Sequence, residues 1–478
     1  MTPIEQSKIP SRGQWGSRLV FIFAAAGSAI GLGNIWGFPM NTAQNGGGAF
    51  VLIYLFFMFI VGFPVMLAEM VLGRAGEKNP VGALKNLKKG TPWYLIGGMG
   101  VFTGFVILSF YIVISGWTVF YFFQAVGGGL ILPAETADAG VYFQEMYEDM
   151  TANAGYEVVF MGIFLILTAV IVAGGIRTGI ERAIKISMPL LLLILLVLMF
   201  RALTLEGAGE GLKFYLVPDF SQITLGTFNM ALGQAFFSLS LGMGVMITYG
   251  SYLSKKENLP TSAGQVVAMD AAIAILAGLI IFPVIFFTVV VHGGDLDSLL
   301  MSGMGLVFQV FPQILGELPG GEGAVIFFSS AFFLLLGIAA LTSAISILEV
   351  ITAHLVDDWK LGRRKAAWFS AGAVFIVAIP TSLGFGASAF FTNLPFAGGM
   401  SVFQIKYLLT FQILLPVGAL GLAVFVGWAW GLPKALREIQ RESPNFILKR
   451  TWCFMVRYVA PVAILIVLGS NLISLFRG

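Results

Sequence analysis

The sequence predicts an all-α polytopic membrane protein from three observations. Of its 478 residues 58% are hydrophobic and only 11% are charged, and the mean hydropathy is +0.91. A soluble domain carries about 25% charged residues, so 27 Lys+Arg and 24 Asp+Glu are too few to coat a soluble protein of this size. Apolar runs long enough to cross a bilayer recur along the chain. They do not alternate polar and apolar residues as barrel strands do.

Eleven of these runs are predicted spans. We expect residues 1–16 to form a cytoplasmic N-terminal segment and residues 17–478 a single transmembrane domain, because the first run is too long for a signal peptide and no cleavage-site pattern follows it. The spans are predicted at about 17–40, 47–73, 93–128, 158–175, 183–204, 225–253, 263–291, 323–355, 365–384, 402–432 and 450–475.

The basic residues orient the spans. Most of them fall in the even-numbered connections or at adjoining helix ends, whereas the opposite loops, above all 129–157, are acidic. Cytoplasmic loops of membrane proteins carry an excess of Lys and Arg. We therefore expect a multi-pass protein of the plasma (inner) membrane, with a cytoplasmic N-terminus and Gly478 outside.

Composition also narrows the function classes. Cys453 is the single cysteine, so no intrachain disulfide or cysteine metal cluster can form. The two histidines, His292 and His354, offer little for metal chemistry, and no catalytic cluster falls within the spans. We expect neither an enzyme nor a nucleic-acid-binding protein. The expected partners are the lipid bilayer and a small-molecule substrate, and the oligomeric state is left open.

Two predicted spans contain helix-breaking sequences. The segment Gly27–Asn34 in span one holds three glycines and an asparagine, and Ser238–Gly244 in span six holds two glycines and two serines. Each glycine costs about 1 kcal/mol of helix propensity relative to alanine, and unwound helix is tolerated in a membrane only where it lines a cavity. Breaks at matching positions indicate two inverted five-span repeats, about 17–204 and 225–432, around a midplane site. The alternative is close helix packing through small residues.

Predicted span five shows a weaker indication of an interrupted helix. Gly179 and Pro189 flank a polar segment, and the pair allows the cytoplasmic end of this helix to unwind. The other interpretation is that Gly179 simply ends a loop. The sequence does not decide between them.

Several motifs resemble one family, the neurotransmitter:sodium symporters, over nearly the whole chain. They are Gly27–Asn34, Phe38-Pro39, Asn45–Phe50, Gly233–Gly242 and Met455–Tyr458. The resemblance implies the leucine-transporter fold, with two inverted five-helix repeats and one extra helix, eleven in all. It also implies Na⁺-coupled symport of an amino acid by alternating access. Transport of a taurine- or betaine-like osmolyte and a proton-coupled or exchange mode are the alternatives, and a sensor or channel is disfavoured.

The resemblance further implies two sodium sites built from oxygen ligands, which suit a hard cation. The first comprises the carbonyl of Ala29 with the side chains of Asn34, Ser238 and Asp270. The second comprises the carbonyls of Gly27, Ile30 and Ala339 and the hydroxyls of Thr342 and Ser343. For Thr342 and Ser343 the simpler alternative is a hydroxyl bonded to its own helix backbone.

Asp270 indicates whether transport requires chloride. Chloride-dependent members of the family carry asparagine at this position and serine one turn later, whereas this chain has Asp270 and Ala274. Tyr54, Gln234 and Ser238 would complete a chloride shell, but Asp270 would supply the negative charge itself. We therefore expect no chloride requirement. The competing interpretation is that Asp270 carries a proton on the return step.

The family pattern also places a substrate pocket. It comprises residues of spans one, three, six and eight, with no charged side chain, so an apolar or aromatic substrate side chain is favoured. These residues are Ala29, Leu32, Gly33, Ile107, Tyr111, Phe237, Ser240, Met243, Ser343 and Ile347.

The expected gates differ at the two ends. Arg12, Trp15, Tyr252 and Asp357 match the family's cytoplasmic gate, with Glu349 a candidate to join it, and Glu69 is expected to brace the unwound first span. At the outer end the usual arginine and acid are replaced by Gly37 and Tyr407. Outer closure is then expected to rest on Tyr111, Phe237 and Lys406.

Overall fold

The computed structural model describes residues 13–133, 139–293 and 305–477. We number its principal helices α1 to α18 in chain order. They are α1 Arg18–Ala29, α2 Gly33–Gln44, α3 Gly48–Gly76, α4 Pro80–Leu87, α5 Tyr94–Val126, α6 Ala139–Ala152, α7 Ala154–Ala173, α8 Ile176–Ala202, α9 Ala208–Leu216, α10 Leu225–Ser238, α11 Val245–Gly250, α12 Leu259–His292, α13 Val307–Gly316, α14 Glu322–Asp357, α15 Arg363–Leu383, α16 Val402–Ala429, α17 Leu432–Gln440 and α18 Lys449–Ile473.

The helices confirm an all-helical, multi-pass membrane protein. Within the described ranges, 9 helices are long and apolar enough to cross a membrane, and α1 with α2 makes a tenth candidate that is bent by 53°. Predicted span six occurs as the two short helices α10 and α11, of 14 and 6 residues, neither of which is long enough to span alone. The count of eleven spans therefore stays a prediction.

Some predicted span ends were wrong. The helix of span four begins at Ala154 rather than 158, because the side chain of Asn153 caps it by accepting from the amides of Gly155 and Tyr156. The helix of span five begins at Ile176 rather than 183. The first of these starts is set by a capping side chain and the second by Gly175, whose φ of 90° precedes the helix, and hydropathy detects neither.

The predicted break in span one is present. Helix α1 ends at Ala29, and Ile30 turns to an extended conformation with φ −76° and ψ 96°. The chain becomes helical again at Gly33. The amide of Ile30 still donates to the carbonyl of Ala26, whereas the amides of Gly31 and Leu32 bond to side chains in the buried interior instead of to helix carbonyls.

The break in span six lies between α10 and α11. Ser240, Gly242 and Gly244 all have positive φ, at 53°, 80° and 77°, a conformation that glycine adopts without steric cost. A Cβ atom on Gly242 would lie 2.5 Å from the carbonyl oxygen of Leu415. The glycines thus serve both interpretations, because they permit the unwound backbone and also its close packing against α16.

Span five does not unwind in this structure. Helix α8 continues through Pro189, and Gly179 lies in its first turns. A Cβ on Gly179 would lie 2.0 Å from the carbonyl oxygen of Ile171 at the end of α7. Glycine is therefore needed here for the close approach of two helices, which neither interpretation from the sequence had identified.

The broken helices lie at the centre of the molecule. Helix α1 packs against α8, α12 and α14, and α5 packs against α14, α7 and α15. Apolar side chains cover the periphery: Ile186 of α8 is 65% exposed and Ile376 of α15 is 68% exposed. An apolar exterior around a buried break is the arrangement expected in lipid.

We expect Gly242→Ala to destabilise the protein, because alanine at positive φ costs about 1–2 kcal/mol and its methyl group would also clash with Leu415. Gly372→Ala is the matched control, since a Cβ there meets nothing within 4 Å. Thermal unfolding in detergent, followed by size-exclusion chromatography, measures both. Equal melting temperatures for the two variants would contradict the packing described at the break.

Candidate functional site

The two breaks enclose one central cavity. All ten residues of the predicted substrate pocket line it, together with Ser28 and Gly31, which the sequence analysis had not included. Its volume is about 20 Å³, roughly the space of a single water molecule. The lining side chains must therefore separate before any ligand much larger than water can enter.

Side chains from α5, from α14 and from the break in span six bond to the freed backbone of span one. The carbonyl oxygen of Ser28 accepts from Ser240 Oγ and Ser343 Oγ, each at 3.1 Å. The amide of Leu32 donates to the hydroxyl of Tyr111 at 3.4 Å. The same side chains that line the cavity thus hold the broken helix in place.

Glycine is required where the first break meets its neighbours. A Cβ on Gly31 would lie 2.6 Å from Ser343 Oγ and 3.0 Å from the Tyr111 hydroxyl. A Cβ on Gly33 would lie 2.5 Å from the ring of Phe237. These contacts bring backbone amides to the cavity surface, where they can meet a ligand directly.

The side chains of the first predicted sodium site lie together. Asn34 Nδ2 donates to Asp270 Oδ1 at 2.8 Å, Ser238 Oγ donates to Asp270 Oδ2 at 2.6 Å, and Asn34 Nδ2 also contacts Ser238 Oγ at 3.1 Å. Asp270 is fully buried, and no basic residue in the described part of the chain forms an ion pair with it. A buried, uncompensated carboxylate with neutral oxygens beside it fits a small hard cation.

The second predicted sodium site lies between α1 and α14. A Cβ on Gly27 would lie 3.3 Å from Thr342 Cβ, so the two helices touch at this point. Thr342 Oγ1 donates to the carbonyl of Ala339 at 3.0 Å, which is the ordinary intrahelical bond, whereas Ser343 Oγ reaches across to α1 and lies 3.5 Å from the carbonyl of Ile30. The neutral oxygens are therefore in one place, although sodium binding there stays a prediction.

On the side of the membrane that carries Trp15, here called the inner side, the predicted gate is partly described. Trp15 Nε1 donates to the carbonyl of Tyr249 at 3.1 Å, and the Trp15 amide donates to the carbonyl of Tyr252 at 3.3 Å. Asp357 accepts from the amide of Asn79 at 2.8 Å. Arg12 lies outside the described residues, so its pairing with Asp357 stays a prediction.

Glu349 lies in the inner network, as the sequence suggested. It is fully buried and accepts from the Tyr252 hydroxyl at 2.6 Å and from Arg363 Nη2 at 2.5 Å and Nη1 at 3.1 Å. Arg363 is not among the gate residues that the sequence predicts. Its signal is the basic run that opens α15, which by itself indicates only membrane orientation.

Glu69 contacts the break in span six rather than the break in span one, which the sequence had led us to expect. Its Oε1 accepts from the amide of Gly242 at 2.8 Å, and its side chain is fully buried. In the described residues its second carboxylate oxygen has no hydrogen-bond partner. The expectation of a contact with the first span was therefore wrong, because the sequence could not show which of two adjacent breaks α3 faces.

Comparison with known proteins identifies the family. A family model described as "Sodium:neurotransmitter symporter family" matches residues 12–138 and 139–477. The chain belongs to the sodium:neurotransmitter symporter family.

Relatives of this symporter match it over nearly the whole chain. The uncharacterised sodium-dependent transporter YhdH of Bacillus subtilis is 38% identical over 463 residues, which are 97% of this chain and 98% of the relative. An uncharacterised sodium-dependent transporter of Haemophilus influenzae is 37% identical over 470 residues, 96% of this chain and 98% of the relative.

A solved structure gives the fold. The crystal structure of MhsT in complex with L-phenylalanine matches with a TM-score of 0.85 and 42% identity, over 96% of this chain and 100% of that chain. The protein is thus a sodium-dependent symporter with the leucine-transporter fold, in a family of transporters.

The outer end of this symporter departs from the family pattern. Gly37 and Tyr407 line a second cavity of about 460 Å³, which shares Tyr111 and Phe237 with the central cavity. Lys406 does not line it. Its Nζ donates instead to Ser109 Oγ, the carbonyl of Val377 and Thr381 Oγ1, at 2.9, 2.7 and 2.6 Å. The expectation that Lys406 closes the outer end was wrong, because its side chain points toward α5 and α15.

We expect Glu349→Gln and Arg363→Gln each to cost about 3 kcal/mol of stability, because each leaves a largely buried charge without its partner. The double variant should cost clearly less than the sum of the two. Thermal unfolding measures this cycle. Glu77→Gln is the control, because it breaks a pair with Lys255 in which the side chains are 65% and 38% exposed, and such a pair is worth about 0–1 kcal/mol. Simple additivity would show that the pair does not stabilise the inner network.

Proposed function

We propose that this protein uses a Na⁺ gradient to take up an amino acid with an apolar or aromatic side chain, without requiring chloride, and that its inner side faces the cytoplasm. The central cavity carries the proposal. Hydroxyls and freed backbone groups surround one part of it, and Ile107, Met243 and Ile347 line another. Among its lining residues none is charged.

The polar part of the cavity suits the two charges of an amino acid. Helix α2 begins at Gly33, and the N-terminal end of a helix attracts an anion such as a carboxylate. The amide of Leu32 and the hydroxyl of Tyr111, which now bond to each other, would both be redirected to that carboxylate. Ser240 and the carbonyls of Ala29 and Phe237 would accept from the ammonium group.

The apolar part supports the choice of side chain. Ile107 and Ile347 are buried, and Met243 is a flexible side chain that adapts to different shapes. A charged substrate side chain would be left there without a partner, at a large desolvation cost. The complex of the relative MhsT with L-phenylalanine supports an aromatic or apolar substrate for this chain as well.

Sodium would enter at the two oxygen clusters. When bound, Na⁺ supplies a positive charge beside the Asp270 carboxylate and links the ends of α1 and α2 to α12 and α14. The donors that Asp270 now accepts from, Asn34 and Ser238, belong to the two breaks. A cation that competes for the carboxylate therefore acts directly on the unwound segments, and this supports coupling between ion and substrate.

Uptake of radiolabelled phenylalanine, leucine, taurine and betaine into proteoliposomes tests the proposal under an imposed inward Na⁺ gradient. We expect accumulation of phenylalanine or leucine that disappears when K⁺ replaces Na⁺. Protein-free liposomes are the control. Uptake indifferent to Na⁺, or confined to taurine or betaine, would contradict it.

Chloride independence has its own test. Uptake by the parent protein should not change when gluconate replaces chloride, because Asp270 supplies the negative charge beside Ser238. The variant Asp270→Asn/Ala274→Ser should transport in chloride and lose most of its uptake in gluconate. Ala274→Ser alone is the control and should stay chloride-independent. Loss of parent uptake in gluconate would overturn the assignment.

The second sodium cluster is tested by Thr342→Ala and Ser343→Ala. We expect each to raise the Na⁺ concentration for half-maximal uptake by about 10-fold, which corresponds to the roughly 1.5 kcal/mol of one hydrogen-bond-like contact to a charge. Thr352→Ala removes a buried hydroxyl of the same helix that has no hydrogen-bond partner in the described residues, and it should leave the Na⁺ dependence unchanged. Unaltered Na⁺ dependence in the Thr342 and Ser343 variants would contradict the proposal that this cluster binds Na⁺.

A further inference from the structure

A row of aromatic rings lies at the outer end where the family's charged gate is missing. The rings of Tyr407 and Phe411 stack with centroids 4.3 Å apart and planes at 19°. Phe411 in turn contacts Phe237, with centroids 4.5 Å apart. The row therefore runs from α16 to the last turn of α10, and all three rings line the outer cavity.

The α16 end of this row is anchored. Lys406 precedes Tyr407, and its ammonium group uses all three of its donors on acceptors in α5 and α15. These helices also pack against each other. Tyr407 and Phe411, one helical turn apart, are thus presented by a part of α16 that is tied to unbroken helices.

The other end of the row belongs to the breaks. Phe237 is the penultimate residue of α10, directly before the unwound segment. Its ring also lies so close to Gly33 that no side chain would fit between them. Through the contact between Phe411 and Phe237, the anchored helix consequently meets a ring that packs on both broken helices.

We propose that Tyr407 and Phe411 form an aromatic platform, on which Phe237 closes the outer cavity over the central site, in place of an arginine–acid pair. This inference rests on the proposed transport function. Offset and tilted aromatic pairs attract each other beyond their apolar contact, and uncharged rings avoid the cost of burying one charge without its mate. Tyr407 and Phe411 are positioning residues, because they act through Phe237.

The chain offers a reporter for this closure. Cys453 is the single cysteine, so Cys453→Ser gives a background in which one introduced thiol can be followed. Gly37 lines the outer cavity, and a Cβ there meets only Gln234, at 3.7 Å. A Gly37→Cys thiol therefore fits, and its rate of reaction with a charged methanethiosulfonate reports how open the cavity is.

The test compares these rates for protein in lipid nanodiscs with Na⁺ and L-phenylalanine. We expect Tyr407→Ala and Phe411→Leu each to raise the rate by roughly 2- to 12-fold, the equilibrium shift that corresponds to one aromatic pair. Tyr407→Phe keeps the ring and should restore the parent rate. Lys406→Met, which removes the three anchoring bonds, should also raise the rate.

Phe425→Leu is the matched control. Phe425 lies on the same helix, packs against Trp93 with ring centroids 5.4 Å apart, and is not among the residues that line the outer cavity, so its loss should leave the rate at the parent value. Unchanged rates in Tyr407→Ala and Phe411→Leu, or an equal rise in Phe425→Leu, would overturn the platform. An unchanged rate in Lys406→Met would overturn its anchoring.

The measurement does not depend on transport. Rates are also taken in Na⁺ without phenylalanine, so an effect of the rings is seen even if phenylalanine is not the substrate. If proteoliposomes take up no phenylalanine but the reaction rate of the Gly37→Cys thiol still depends on the rings, the proposed substrate is rejected and the aromatic platform is retained. Each variant is first shown to elute as a single size-exclusion peak. If Phe411→Leu does not fold, Tyr407→Ala alone tests the platform, because Tyr407 is 40% exposed and its replacement disturbs the packing less.

Discussion

The structure depends on one constraint, that backbone amides and carbonyls freed inside a membrane must find partners within the protein. Two helices are broken at the centre of this molecule, and the partners of their freed groups are a small set of side chains. Glu69 accepts from Gly242, Tyr111 accepts from Leu32, and two serines donate to the carbonyl of Ser28. Tyr111 and both serines also line the cavity between the breaks, so the site and the fold cannot be altered independently there.

This double use gives a physical route from ligand binding to conformational change. Asn34 accepts from the amide of Gly31 in the first break and donates to Asp270 of α12. Ser238, the last residue of α10, donates to the same carboxylate. A cation bound by Asp270 would compete with both donors, and a substrate carboxylate would compete for Leu32 and Tyr111. Each ligand then changes bonds that hold the unwound segments, which is the differential interaction that a shift between conformations requires.

The sequence was informative where a property is local or where a motif fixes the register. Glycine clusters predicted both breaks, and the family motifs named ten residues that line one cavity. The predictions that failed were those that depended on contacts between residues distant in the sequence. Lys406 and Tyr407 are neighbours in the chain, but on a helix they point in different directions, and only packing shows that Lys406 faces α15. Likewise Arg363 could not be paired with Glu349, and Glu69 could not be assigned to one break, without the positions of distant helices. The span count was uncertain for a related reason, since hydropathy does not distinguish one long helix from two short helices joined by unwound chain.

The contacts at the two ends of the molecule differ in their physics. At the inner end a buried carboxylate, Glu349, is matched by a guanidinium and a phenol, and such a network is specific in direction but costly if one member is lost. At the outer end the row from Tyr407 to Phe237 is uncharged, so its contacts are less directional and are not weakened by salt as exposed ion pairs are. A ring row can also slide or tilt while staying in contact. The aromatic contacts therefore leave the outer end more freedom to adjust than the directional charged network leaves the inner end.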